Sequence, residues 1–154
     1  LSAKAGDSLI EAFFRTPALR HRERLLRLTA LEALDTFGLA DYASLPAEAL
    51  SYGAKKRLEL ARAFVSRPKL VLLDEPVAGL KPDETERVGT LIRQMRRSGV
   101  TLILVEHDMD LVMSVSDHVV VLDGGRRIAE GPPDDVRRNP LVLEAYLGKI
   151  SLTA

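Results

Sequence analysis

The chain has no cysteine, which excludes disulfide staples and thiol chemistry and fits a cytoplasmic setting. It has no net charge either. Its 22 basic residues balance 22 acidic ones, so there is no global electrostatic case for nucleic acid or an anionic membrane. No apolar run approaches the roughly 20 residues of a membrane-spanning helix. Internal repeats and low-complexity segments are lacking. The opening residues, LSAKAGDSLIEAFF, lack the charged start and long apolar core of a signal peptide. They also lack an initiator Met, as expected of a fragment or a processed form. What is there is ordinary: 46% hydrophobic and 29% charged residues over 154 positions, enough for one modest domain with a real core.

The informative stretch is residues 50–76, LSYGAKKRLELARAFVSRPKLVLLDEP. Ser51 is a good N-cap for a helix running to about Ser66, with Leu58, Ala61, Phe64 and Val65 on its apolar side. A helix start offers free N–H groups and about half a positive charge, which suits a phosphate. Gly53 there would let backbone come close to a ligand. Residues 70–73, Leu-Val-Leu-Leu, have no polar alternation, which predicts a strand buried on both faces. That strand ends in Asp74-Glu75-Pro76. Ligands of open α/β sheets sit beyond the carboxyl ends of the strands, so two acids at this place suggest a metal site and a base.

Downstream, Pro82 suits the first turn of a helix with Val88, Leu91, Ile92 and Met95 as its stripe, and Gly99 ends it. Residues 100–105 form a second apolar strand, followed by Glu106-His107-Asp108. Strand, helix, strand at this spacing is a βαβ unit with two parallel strands. Their carboxyl ends would bring Asp74, Glu75 and His107 to one edge of the sheet. Asp108 can cap a helix to about Val115, with Leu111, Val112 and Val115 inward. Residues 118–122 and 126–130, joined by Asp123-Gly124-Gly125, predict a hairpin, with His118 structural or exposed. Two short helices follow, the last carrying Leu141, Leu143, Ala145, Tyr146 and Leu147. Upstream, residues 8–14 give a weak helical pattern. Residues 18–37 give a clear one, on Leu25, Leu28, Leu31, Ala33 and Leu34, stopping at Gly38. Arg15, Arg20, Arg22, Arg24 and Arg27 make its first part basic, which on pattern alone reads as a solvated face.

Taken together, these stretches resemble the ATP-binding cassette family of transport ATPases. LSYGA is similar to the family signature at Leu50, Ser51 and Gly53, departing at Tyr52 and Ala54. LVLLDEP resembles the Walker B strand with its following Glu. AGLK, at 78–81, resembles the D-loop, with Lys81 where an acidic or amide residue is common. EHDMD places His107 at the switch histidine. The implied fold is α/β, a partial P-loop NTPase: a helical subdomain over 1–66, a catalytic core portion over 67–131 with a parallel βαβ core and a hairpin, and a helical extension over 132–154.

The resemblance also implies roles. Ser51 and Gly53 would face the γ-phosphate of ATP held by the opposite subunit. Asp74 would hold Mg²⁺ largely through water. Glu75 would polarise the attacking water, and His107 would contact the γ-phosphate. Implied partners are a second cassette subunit and transmembrane permease subunits, with no nucleic acid, and the implied place is the cytoplasmic face of the membrane. The segment 13–27 would help to meet the permease.

Among subfamilies the chain resembles the branched-chain amino acid importer ATPases, through LSYG followed by RLELARA, through EHDMDLVM, and through the ending GPPDDVRRNPLVLEAYLG. Urea and amide importers and lipopolysaccharide exporters share similar tails and stay open as alternatives.

One part of an ATPase site is missing from these residues. There is no G-x-x-x-x-G-K-[ST]; the single Gly-Lys pair, Gly148-Lys149, is followed by Ile150. The expectation is therefore the later two-thirds of a cassette, incomplete and inactive alone. A transporter-bound structural partner that does not hydrolyse ATP is the main rival. A cassette ATPase of DNA repair fits less well, because no heptads are present.

Overall fold

A computed structural model describes residues 17–150, and the side chains of those up to Tyr146. The weak helix expected at 8–14, Phe13, Phe14 and Arg15 lie outside the described residues, as does the side chain of Leu147. The chain divides into two units between Pro68 and Lys69.

In the first unit, Pro17 opens α1 (Pro17–Thr36). Its end is the expected one. Gly38 adopts φ +63° and donates its N–H to the Asp35 carbonyl at 2.9 Å, while the Leu39 N–H reaches the Leu34 carbonyl at 2.7 Å. That closure needs a left-handed residue, which Gly supplies without a Cβ penalty. Two 3₁₀ turns, Ala40–Tyr42 and Ala47–Ala49, make the connector to α2 (Tyr52–Val65). Arg57 of α2 donates Nη1 to the carbonyls of Phe37 and Gly38 at 3.2 and 3.0 Å, placing a cation at the C-terminal end of α1. The Phe37 and Phe64 rings meet at 5.7 Å, tilted by 57°. No residue of α1 is itself buried, and Leu25, Leu26, Leu28 and Leu31 are 39–62% exposed.

In the second unit, β1 (Leu70–Asp74) and β2 (Thr101–Val105) pair in parallel, Leu72 beside Ile103 and Asp74 beside Val105. The connecting helix, α3 (Pro82–Arg97), starts at Pro82 as expected, and Glu84 Oε2 accepts the Lys81 N–H at 3.2 Å. Its stripe of Val88, Leu91, Ile92 and Met95 is buried as the sequence predicts. The two-sided burial expected of residues 70–73 is wrong. Val71 and Leu73 are 6% and 8% exposed, but Leu70 and Leu72 are 50% and 69% exposed. On β2, Ile103 and Val105 are also more than half exposed. A single crossover helix can cover only one face of the strands it joins, and among the described residues no second layer covers the other.

Asp108 caps α4 (Met109–Val115), accepting the Leu111 N–H at 2.9 Å, with Leu111 and Val115 buried. β3 (Val119–Asp123) and β4 (Arg126–Gly131) form the expected antiparallel hairpin, with Gly124 and Gly125 both at positive φ as its tight turn requires. α5 (Pro133–Arg137) and α6 (Pro140–Ile150) close over it, and Val119, Ala129, Val136 and Val142 share one core. On α6 the expected apolar set is corrected. Val142 is buried, while Leu141, Leu143 and Tyr146 are about half exposed. A short helix that is apolar on most sides does not announce which stripe meets its neighbour.

Candidate functional site

The five residues singled out in the sequence fall in both units, two in the first and three in the second. At the start of α2, Ser51 is extended (φ −61°, ψ 161°) and its hydroxyl oxygen accepts the Ala54 N–H at 3.3 Å. This is ordinary N-capping, and it leaves the hydroxyl proton to donate outward. The Tyr52 ring is exposed, with Lys56 Nζ 5.9 Å above it. Gly53 and Ala54 are buried. The exposed groups at this helix start are Ser51 and Tyr52.

At the carboxyl end of β1, Asp74 closes the strand and its residue is exposed. Glu75 follows with φ +44°, a left-handed conformation that a non-glycine residue adopts at some cost. Several backbone bonds hold it there. The Glu75 N–H donates to the Val105 carbonyl at 2.9 Å, extending the parallel pairing one step past the strand. The Ala78 N–H returns to the Glu75 carbonyl at 3.2 Å, and the Leu80 N–H to the Val77 carbonyl at 3.0 Å, making two successive turns. At the end of β2, His107 Nδ1 lies 3.5 Å from Glu75 Oε1, and both side chains are more than half exposed. The juxtaposition expected from the βαβ spacing is present for this pair.

Sequence reasoning missed the residue beneath it. The Glu106 side chain is fully buried. Its Oε1 accepts the Val77 N–H at 3.0 Å, and its Oε2 accepts the N–H groups of His107 and Asp108 at 3.0 and 3.4 Å. His107 Nδ1 is also 3.7 Å from Oε2.

Among the described residues no three His, Asp or Glu side chains gather into a metal site. The oxygen donor beside Glu75 is the Asp74 carboxylate. One carboxylate suits magnesium, which keeps most of its waters and shares substrate phosphate oxygens, better than it suits a metal that needs a protein cage. A groove between α3 and α4, lined by Leu80, Pro82, Thr85, Gly89, Arg93 and Leu111 among others, takes in none of the five expected residues.

Elsewhere, His118 Nε2 lies 3.2 Å from Glu130 Oε1, and Arg127 pairs with the other carboxylate oxygen. The hydrogen bond from His118, followed by the charge of Arg127, holds the Glu130 carboxyl below the usual carboxylate range. This is the exposed, structural role expected for His118.

Two family descriptions match the chain: "ABC transporter" over residues 8–78, and "Branched-chain amino acid ATP-binding cassette transporter" over residues 126–149. The high-affinity branched-chain amino acid transport ATP-binding protein BraF of Pseudomonas aeruginosa is 44% identical over 145 residues, which are 94% of this chain and 57% of BraF. The chain thus spans little more than half the length of that relative. Among solved structures, the ADP conformation of MJ1267, an ATP-binding cassette of an ABC transporter, superposes with a TM-score of 0.71 at 31% identity, covering 78% of this chain and 49% of that one. CbiO1 from Clostridium perfringens, part of the ABC transporter complex cbiONQ, gives 0.69 at 33% identity, covering 83% and 53%. Among the described residues no helix is long and apolar enough to cross a membrane. With the capped helix at Ser51, the acid-ended strand and the Glu75–His107 pair in the expected order, and these matches behind them, the chain belongs to the ATP-binding cassette family of transporter ATPases and carries part of its cassette fold.

Proposed function

We propose that this chain supplies the signature helix and the hydrolytic face of an ATPase subunit that drives import of branched-chain amino acids. The observation that carries the hydrolytic reading is the Glu75 carboxylate 3.5 Å from the His107 imidazole, at the ends of two parallel strands. A carboxylate there can orient a water and take its proton as the water attacks the γ-phosphorus. The imidazole can donate to a γ-phosphate oxygen as negative charge develops. Asp74 would hold Mg²⁺ through water, and the bound ion would neutralise phosphate charge. Ser51 and the N–H groups at the start of α2 would meet the γ-phosphate of ATP carried by a second cassette subunit. The backbone at Gly53, in the first turn of that helix, would face the same phosphate.

The amino acid substrate is supported by the match over residues 126–149 and by the name of BraF. Permease partners and a place at the cytoplasmic face of the membrane are supported by the likeness to CbiO1, itself part of an ABC transporter complex, and by α1. The latter presents Arg20, Arg24 and Leu25 to solvent on one helix. Arg is among the residues enriched at protein interfaces.

The test is Glu75→Gln in a cassette that carries a phosphate loop. The amide keeps the shape but cannot take the proton. ATP binding should persist, a closed dimer should accumulate, and turnover should fall by about 10²-fold or more. Turnover within about twofold of the parent, far below what loss of a general base costs, would remove Glu75 from the chemistry.

A further inference from the structure

The Glu75–His107 pair is assembled from two loops, and nothing in its own 3.5 Å contact fixes where those loops lie. Both side chains are more than half exposed, so packing does not hold them. The φ of +44° at Glu75 adds a tendency to relax. One side chain bonds to both loops. Glu106 Oε1 takes the N–H of Val77, 29 residues away in sequence and inside the double turn that follows Glu75. Glu106 Oε2 takes the N–H groups of His107 and Asp108. The two ends of one buried carboxylate therefore bond to both loops.

We propose that Glu106 is the positioning residue of this site: it clamps the turn after Glu75 to the turn at His107 and so sets the distance between the base and the imidazole. This inference rests on the hydrolytic reading of that pair. A carboxylate suits the task because it is acceptor-only at both ends, and all three of its partners are N–H donors. An amide of the same size must turn its NH₂ toward one of those donors and lose that side of the clamp. A shorter carboxylate keeps the chemistry and loses reach.

The experiment compares Glu106→Gln and Glu106→Asp with the parent in two ways. The first is amide hydrogen exchange at Val77 and His107 in this chain. Faster exchange at one or both in Glu106→Gln, with the β1–β2 amides unchanged, is the expected result. The second is steady-state ATP hydrolysis in a cassette that carries a phosphate loop. There kcat should fall on the order of ten- to a hundredfold in Glu106→Gln with KM for ATP unchanged, as misplacing a catalytic group by about 1 Å does. Glu106→Asp should recover part of it. A merely structural role would instead lower the folded fraction, and kcat would follow the thermal midpoint in both variants alike. Unchanged exchange at both amides, or unchanged kcat in Glu106→Gln, overturns the clamp. If the parent cassette itself fails to hydrolyse ATP, the hydrolytic reading falls, and the exchange measurement still decides whether Glu106 ties the two loops.

Discussion

The described residues cover the two strand pairs of the second unit to different degrees. The β3–β4 hairpin is complete in itself. Its turn is set by two adjacent glycines, α5 and α6 close over it, and Val119, Ala129, Val136 and Val142 fill the space between. Among the described residues the parallel pair β1–β2 is covered on one face only; on the other, Leu70, Leu72, Ile103 and Val105 are each at least half exposed. The Glu75–His107 pair lies at the end of the half-covered strands. A hairpin can be joined by two residues and stabilised locally, whereas parallel strands need a crossover and normally lie in sheets covered on both sides. The difference separates what these residues stabilise unaided from what they present: a local structural element in one case, and in the other an acid and an imidazole at the ends of strands whose second face is open.

Breaking the covered side should cost most. Ile92, 2% exposed on α3, is part of the layer beneath the parallel pair. Ile92→Ala should destabilise the second unit by about 2–5 kcal/mol in denaturant unfolding. A loss under about 1 kcal/mol would mean that this layer is not the support assigned to it. The open side should respond the opposite way. Leu72, 69% exposed and beside Ile103, can become Ser with a change in unfolding free energy within about 0.5 kcal/mol. The same change should lower self-association in sedimentation runs, because it interrupts a contiguous apolar patch. If Leu72→Ser costs as much as Ile92→Ala, the face is covered after all and the contrast fails.

The smallest effect belongs to the hairpin surface. The hydrogen bond from His118 and the charge of Arg127 depress the Glu130 carboxyl. A depressed carboxyl adds stability that is fully present above its unfolded value and is lost as pH falls through the folded one. The pair is exposed and screened, so the contribution is slight. Thermal midpoints of the parent and Glu130→Gln should differ near neutral pH and converge in acid, below the ordinary carboxylate range. A gap that widens on acidification has the wrong sign for this account.

Much of this was legible in the sequence because local chemistry states it. Ser51 before a helix is a cap, Asp123-Gly124-Gly125 between apolar runs is a turn, and an apolar run on each side of a Pro-initiated helix is a parallel crossover. Burial is less legible. Residues 70–73 are apolar at every position, which gives no period from which to tell one buried face from two. Val142 does not stand out among equally apolar neighbours, for the same reason. Glu106 left the least trace. Its partners are backbone N–H groups, one of them 29 residues away, and backbone groups have no sequence signature. Beside a histidine at a strand end it reads as one more surface acid, and only its complete burial shows otherwise.

The central claim is that these residues carry the acid and the imidazole but not the cradle for the phosphates. Most of phosphoryl-transfer catalysis is positioning and electrostatic stabilisation, and a phosphate loop supplies much of both. A helix start with one hydroxyl offers about 1–2 kcal/mol toward an anion. Even millimolar affinity needs about 4 kcal/mol. Titration calorimetry of the 154-residue chain with Mg-ATP, run beside a phosphate-release assay, tests the claim directly. The account predicts no heat of binding at micromolar ATP and no phosphate release. Stoichiometric binding in that range, or release that Glu75→Gln abolishes, would contradict it.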